Sequence, residues 1–160
     1  MMSVEPQHET TIEALIQDYG DMVYRLAFAQ VHSKSDADDI FQEVFLRYLK
    51  NQPKLQNDEH CKAWLLRVTI NCSKKHWSSA WQRKTIALED RYVFNEPEEN
   101  GLFEALDQLT PKYRSVIHLY YYEGYATAEI AQILGRREST VRTQLTRARN
   151  QLGQLLKGEL

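Results

Sequence analysis

Residues 135–149 read GRRESTVRTQLTRAR and contain five arginines but only one acidic residue, Glu138. A guanidinium group carries a permanent positive charge and several N–H donors in one plane, which suits it to phosphate oxygens. Such a segment is typical of a solvated helix face, a membrane-surface helix or a surface that contacts a polyanion. The apolar residues between the arginines form a narrow stripe without a bulky aromatic anchor, which disfavours the membrane surface.

The neighbouring residues favour a helix-turn-helix around this cluster. In ATAEIAQILGRRESTVRTQL, the small Ala131 is followed four residues later by Gly135 and six further on by Val141. The small residue lets two helices cross closely, the glycine at the turn takes a positive φ, and the valine packs back on the first helix. The rest of the small core is expected to be Ile130, Leu134 and Leu145. The second helix then fits the major groove of DNA, whereas the alternative is a short hairpin with a solvated basic face.

The charge distribution predicts two polyanion contacts. The chain has 160 residues and a net charge of −2, but residues 61–84 hold six basic and no acidic side chains. Residues 136–160 hold six basic and two acidic ones, while residues 1–60 and 85–110 are each strongly acidic. Two separated basic blocks on an acidic background indicate two surfaces that meet nucleic acid.

Helical periodicity dominates the sequence, and strand signals are weak. One apolar stripe runs from Ile12 to Ala27, and a second runs from Ala37 to Leu49 after candidate N-caps at Ser33, Ser35 or Asp36. A third helix is expected from near Lys62 to about Trp81. Later in the chain, Thr110 is a candidate N-cap with Pro111 as the first helical residue, and Gly124 is a candidate stop.

Residues 85–100 are acidic, contain Pro97 and keep no sustained period, so we interpret them as a linker. The predicted fold is all-α, with two small helical domains over residues 1–84 and 101–160. The C-terminal domain is the one that carries the helix-turn-helix.

Several function classes lack support in the sequence. No run of about 18 apolar residues occurs and the N-terminus has no signal-peptide pattern, so we expect a cytoplasmic chain without stable membrane insertion. No phosphate loop or nucleophile motif appears, so we expect neither an enzyme nor a cofactor. One set has zinc-ligand residue types but poor spacing, which favours buried thiols and surface histidines over a metal site: His60, Cys61, Cys72 and His76.

The segment LTPKYRSVIHLYYYEGYATAEIAQILGRRESTVRTQLTRARNQL resembles the C-terminal DNA-binding domain of bacterial RNA polymerase sigma factors. Taken alone, it also resembles the DNA-binding domain of LuxR-type response regulators. DADDIFQEVFLRYL resembles the sigma segment that docks on the polymerase clamp, and KAWLLRVTINCSKKH resembles the segment that contacts and opens the −10 element. Both motifs in this order, over about residues 10–156, resemble the extracytoplasmic-function (ECF) group of sigma factors.

This resemblance implies roles for individual residues. Core-polymerase docking is expected of Asp36, Asp39, Gln42 and Phe45. Contact with the −10 element is expected of Asn71, Lys74, Lys75 and Trp77, with Asn71 near a flipped-out base of the non-template strand. Recognition of the −35 element is expected of Arg142, Thr143, Gln144, Arg147 and Arg149. Core RNA polymerase, promoter DNA and an anti-sigma factor are the implied partners.

Some positions depart from the family pattern or leave alternatives open. An apolar residue is usual where Arg136 stands, a serine or threonine N-cap is usual at Ala126, and arginine is frequent where Gln144 stands. A glutamine can pair with adenine through two hydrogen bonds, so the −35 preference is expected to differ from the common one. Trp77 and Trp81 either stack on bases or close the domain core.

Two alternative functions remain at the level of sequence. A LuxR-type regulator would bind operator DNA without polymerase, but it would leave DADDIFQEVF unexplained. A helical adaptor would use the basic faces to bind acidic proteins. We therefore predict a sigma factor that binds core polymerase and both promoter elements.

Overall fold

The computed structural model describes residues 11–77 and 101–158, and every regular element in these two ranges is a helix. Trp81 and the predicted linker lie outside the described residues. The helices of the N-terminal half are α1 (Ile12–Val31), α2 (Lys34–Asn51) and α3 (Asp58–Ser73), followed by a 3-10 turn (Lys74–His76). Those of the C-terminal half are α4 (Leu102–Gln108), α5 (Pro111–Ile117), a π-helical turn (His118–Tyr122), α6 (Thr127–Leu134) and α7 (Glu138–Leu156). The all-α prediction, with a helix-turn-helix in the C-terminal domain, is confirmed.

Side-chain caps fix where the N-terminal helices begin. Of the three candidates before α2, Ser33 is the N-cap, and its Oγ accepts a hydrogen bond from the Asp36 N–H at 3.3 Å. Asn57 caps α3 through Oδ1, which accepts from the His60 N–H at 2.9 Å. The third helix therefore begins at Asp58, four residues before the predicted start near Lys62, because the cap precedes the apolar stripe.

The apolar stripes of both halves meet in one continuous core. In the N-terminal half α1, α2 and α3 pack against one another, and in the C-terminal half α7 packs against α5 and α6. The largest completely buried side chains come from both halves: Leu15, Leu26, Ile40, Leu65, Leu66, Leu109, Leu119 and Ile130. No helix among the described residues is both long enough and apolar enough to cross a bilayer.

The helix-turn-helix has the predicted geometry. Ala131 is buried where α6 and α7 cross, Val141 is completely buried, and Gly135 ends α6 with φ of 65°. The Gly135 and Arg136 N–H groups both donate to the Ala131 carbonyl, which closes the last turn of α6. The turn therefore sets the angle at which α7 leaves the domain.

Helix α6 begins without a side-chain N-cap. Ala126 occupies the cap position and carries no acceptor, while the Glu129 carboxylate accepts from the Ala126 N–H at 3.0 Å. Thr127 is the first helical residue, and its hydroxyl donates to Glu138, so it does not cap the helix. Of the two hydrogen bonds that make up a capping box, only the one from the Ala126 N–H to Glu129 is thus present.

Replacing Ala126 by serine should complete this cap. We expect Ala126→Ser to raise the free energy of unfolding by about 0.5–1 kcal/mol, because Oγ would satisfy a free N–H of the first turn. Thermal and denaturant unfolding of the full chain measure the change. Ala128→Ser, on an exposed position inside α6, is the matched control and should be neutral or destabilising. An unchanged or lower melting temperature for Ala126→Ser would contradict this start of α6.

Candidate nucleic-acid interface

Helix α7 presents a basic outer face. Its inward side chains are Val141, Leu145 and Ala148, which are all buried. Arg142, Thr143 and Arg147 are exposed, and the Thr143 hydroxyl donates to the Ser139 carbonyl. Three of the five predicted −35 residues are therefore open to a ligand.

The remaining two predicted −35 residues, of which Arg149 is also exposed, contact other side chains. Gln144 is half-buried, and its Oε1 accepts a hydrogen bond from Arg136 Nη1 at 2.8 Å. Arg149 Nε donates to the Tyr121 hydroxyl at 2.6 Å, and this hydrogen bond raises the pKa of Arg149. The same guanidinium lies 5.1 Å from the centroid of the Tyr120 ring, a cation–π contact. Sequence reasoning missed both tyrosines, although they lie beside each other in the run LYYYEGY.

A second basic surface lies at the C-terminal end of α3. Asn71, Lys74 and Lys75 are exposed there, on the last turn of α3 and the following 3-10 turn. Lys75 also pairs with Glu43 of α2. Burial raises the pKa of Glu43, but hydrogen bonds from Lys75 and Arg47 outweigh burial and hold that pKa below its ordinary value. This carboxylate therefore stays charged and tethers Lys75.

Trp77 is half-buried and packs against the N-terminal core. Its Nε1 is buried without a hydrogen-bond partner among the described residues. The structure thus places Trp77 at the edge of the core, next to the exposed lysines. Trp64 packs edge to face on Tyr48, with ring centroids 5.9 Å apart, and lies against the same core.

The two cysteines are buried and unpaired. Burial raises the pKa of both the Cys61 and Cys72 thiols to about 11. Within residues 11–77 and 101–158, no three His, Cys, Asp or Glu side chains group in a way that could hold a metal ion.

The predicted docking residues divide into exposed and buried sets. Asp39 and Gln42 lie exposed on α2, whereas Asp36 and Phe45 are buried. The Asp36 carboxylate lies 3.4 Å from His76 Nδ1, so it joins α2 to the 3-10 turn. Phe45 packs beside Phe41 at 4.8 Å between ring centroids. Both side chains therefore lie on the buried side of α2 and help to hold this helix in place.

Two exposed leucines complete the outer face of α2. The side chains of Leu46 and Leu49 are 62% and 48% exposed. With Asp39 and Gln42 they follow the spacing of one helix face, i, i+3, i+7 and i+10. We call these four residues the α2 face. The stripe predicted for this helix included Leu49, which is exposed in the structure. Leu46 lies off that stripe, so its exposure could have been found in the sequence.

The two halves contact each other through Arg67. This α3 side chain donates to the Ile133 carbonyl from Nε at 3.0 Å and to the Gln132 carbonyl from Nη2 at 2.8 Å. Carbonyls in the last turn of a helix have no partner within the helix, so Arg67 satisfies two such groups at the end of α6. Lys62 of α3 adds an ion pair with Glu123 at 3.4 Å.

Buried polar groups line the rest of this contact. Ser115 of α5 donates to Gln30 Oε1 of α1 at 3.1 Å, and His32 Nδ1 lies 2.8 Å from Asp107 Oδ1. The His32 ring also stacks on Phe103, with centroids 4.6 Å apart. Arg114 is nearly completely buried, and burial lowers its pKa to about 10 despite the opposing charge of Asp107. The contact between the halves is therefore rich in polar and aromatic groups.

Family models match both halves of the chain. Residues 15–83 match sigma-70 region 2, and residues 100–152 match sigma-70, region 4. The RNA polymerase sigma factor SigV of Bacillus subtilis is 31% identical over 138 residues, which cover 83% of each chain. The chain belongs to the RNA polymerase sigma factors. The ECF sigma factor SigL of Mycobacterium tuberculosis is 30% identical, and the alignment covers 84% of this chain and 82% of SigL, which shows the ECF group.

A solved structure shares the fold of this sigma factor. It contains the sigma factor RpoE in complex with the anti-sigma factor NepR from Bartonella quintana. The TM-score is 0.70 at 20% sequence identity, over 91% of this chain and 96% of that one.

Matches to both region 2 and region 4 confirm the predicted family and disfavour the LuxR-type alternative. A sigma factor acts as a regulatory subunit, and this class fits the absence of catalytic motifs in the sequence.

Loss of the Arg67 side chain should loosen the contact between the halves. We expect Arg67→Ala to raise the radius of gyration in small-angle scattering, from about 15 Å for a compact chain of this length toward about 20 Å. The physical reason is that two carbonyls at the end of α6 lose their donor. Arg47→Ala is the matched control, because the ion pair that Arg47 forms among the described residues lies within α2, with Glu43. Equal radii for the two variants would contradict a role of Arg67 in holding the halves together.

Proposed function

We propose that the sigma factor divides promoter recognition between its two halves. The α2 face docks on core RNA polymerase, the end of α3 contacts the −10 element, and the outer face of α7 reads the −35 element. The observation that carries this proposal is the presence of two exposed basic surfaces, one in the region 2 half and one in the region 4 half. Both are attached to rigid helices, which suits positioning on a duplex.

The composition of the α2 face suits a protein partner. Two exposed leucines between polar side chains form a mixed apolar and polar patch, as in the centre and rim of an interface. Asp39 and Gln42 supply a charge and an amide, and such groups fix the orientation in which a partner binds. Asp36 and Phe45 support this face from the inside, so their replacement would disturb docking indirectly.

The proposed roles of residues at the −10 element follow from how far each side chain is exposed. Asn71 and Lys74 are free to meet an opened strand, and Lys75 would exchange Glu43 for a phosphate. Trp77 offers an aromatic ring at the rim of the core, where a base can stack on it. Of the five −35 residues, Arg142, Thr143 and Arg147 contact DNA directly, while Gln144 and Arg149 act with their intramolecular partners.

Promoter binding requires the two halves to separate. A compact chain of 160 residues has a radius of gyration of about 15 Å, and so a diameter of about 40 Å. The −10 and −35 elements are about 25 base pairs apart, which is about 85 Å along the duplex at about 3.4 Å per base pair. One closed molecule cannot contact both. The predicted linker of 16 residues, 85–100, is long enough to reach about 55 Å when extended, which, together with the size of the two domains, makes separation feasible.

We infer that an anti-sigma factor binds this chain. The RpoE structure from Bartonella quintana contains such a partner, and its sigma subunit has the same fold. The closed form, in which polar contacts join the two halves, is a suitable target for such a partner. An anti-sigma factor that bridges the halves would keep the two DNA surfaces too close together to reach both the −10 and the −35 element.

The experiment that tests the proposed function is run-off transcription with purified core polymerase and this chain over a library of randomised promoters. We expect core-dependent transcripts whose templates share two sequence elements. Association with core would be measured in parallel by pull-down. Sequence-selective duplex binding without any association with core would instead indicate an operator-binding regulator.

A charge on the α2 face should prevent docking. We expect Leu46→Asp to lower the affinity for core polymerase by at least tenfold, because burying an unpaired carboxylate at an interface is costly. Binding to core by fluorescence anisotropy gives the measurement. Leu156→Asp is the matched control, since Leu156 is also exposed but lies on α7, and it should bind core normally. Equal affinities for the two variants would place the docking surface elsewhere.

Removal of an exposed α7 arginine should separate DNA recognition from docking. We expect Arg142→Ala to reduce initiation from −35-dependent promoters by about tenfold and to leave core binding unchanged, because one cationic contact to DNA is lost. Run-off transcription and the core pull-down report the two properties. Loss of core binding in this variant would mean that the roles of the two halves are reversed.

A further inference from the structure

Arg136 is fixed at the turn between the two helices of the helix-turn-helix. Its N–H donates to the Ala131 carbonyl at 2.9 Å, and the preceding Gly135 takes the positive φ that such a turn requires. From this position the half-buried side chain reaches eight residues ahead, where Nη1 contacts Gln144 Oε1 at 2.8 Å. A residue of the turn thus holds a residue of α7.

The guanidinium of Arg136 lacks an acidic partner in the part of the chain that the structure describes. The acidic side chain nearest in sequence, Glu138, accepts from the Thr127 hydroxyl at 3.1 Å. Burial lowers the pKa of Arg136. A half-buried cation that contacts only a neutral amide leaves part of its charge uncompensated, and a ligand with acceptor atoms would supply the missing contacts.

The chemistry of arginine determines the orientation of Gln144. Arginine has donors only, so the glutamine must turn its oxygen toward Arg136 and its NH₂ group away from it. The pair then offers N–H donors and a positive charge to a ligand. In the major groove guanine presents two adjacent acceptors, N7 and O6, whereas adenine presents the acceptor N7 and the donor N6–H₂. A donor-only pair matches guanine.

We propose that Arg136 and Gln144 act as one reading unit that selects guanine at one position of the −35 element, with Arg136 orienting the Gln144 amide. This inference rests on the proposed function, because it assigns a base preference to the DNA-reading helix. Gln144 lies beside Thr143 and one turn before Arg147, which are both exposed on α7. The amide is therefore at the edge of the surface that meets the bases.

The assignment differs from what the glutamine alone predicts. A free glutamine amide uses its oxygen and its nitrogen together to pair with adenine. In this chain the oxygen is held by a cation, and that cation would also repel the N6–H₂ group of adenine. An apolar residue at position 136 would leave the amide free, so the arginine is the residue that determines the specificity.

The test is run-off transcription by core polymerase and the full chain over a promoter library with a randomised −35 element, followed by sequencing of the active templates. We expect the wild-type chain to enrich guanine at one −35 position. Arg136→Ala should shift that single position toward adenine, with the guanine-to-adenine ratio changed by about tenfold or more, as one bidentate contact discriminates. Arg137→Ala, at the exposed neighbouring arginine, is the matched control and should keep guanine there.

Gln144→Ala provides a second readout that leaves the turn intact. We expect this variant to lose the preference at the same position, and its thermal unfolding should match that of the wild type. The proposal is overturned if Arg136→Ala keeps every base preference, or if it weakens initiation equally on all templates, as loss of a phosphate contact would. Absence of any core-dependent transcript with the wild-type chain would instead refute the proposed function.

Discussion

The last turn of α6 is the point on which the rest of the structure depends. Three consecutive carbonyls there would lack partners within the helix, and two different parts of the chain supply their donors. Those of Gln132 and Ile133 accept from Arg67 of the other half, while that of Ala131 accepts from the turn. The same turn also places Arg136 against Gln144. One helix end therefore links the pairing of the halves to the orientation of Gln144, the side chain that we propose reads DNA.

The polar character of the contact between the halves suits a reversible pairing. Buried pairs such as Gln30 with Ser115 and His32 with Asp107 form when the halves are together, and water can replace these contacts when the halves separate. A purely apolar contact of this kind would resist opening, since its exposure to water would cost free energy in proportion to area. The sigma factor can thus hold a compact form and still adopt the extended form that two distant promoter elements require.

The sequence predicted local features well and contacts across the chain poorly. Ser33, Thr110 and Gly135 were identified as caps or turn residues because their preferences act within a few residues. The start of α3 was placed too late, since the periodic signal begins after the cap at Asn57. Arg67 could not be recognised, because the carbonyls it contacts lie 65 and 66 residues away. The five −35 residues were chosen by resemblance, and only the structure shows that two of them, Gln144 and Arg149, contact Arg136 and Tyr121.

We propose that both DNA surfaces work at once only when the halves separate, and the distance between the halves reports this separation. Fluorophores on cysteines introduced at the exposed positions Lys50 and Asn150 would report the separation by energy transfer. The native thiols are buried with pKa values near 11, so they should label slowly at neutral pH. We predict high energy transfer between the fluorophores in the free chain. In the active complex of core polymerase and promoter, the distance between them should exceed about 60 Å, because the spacing of the two elements sets it. An unchanged distance in a complex that supports run-off transcription would contradict it.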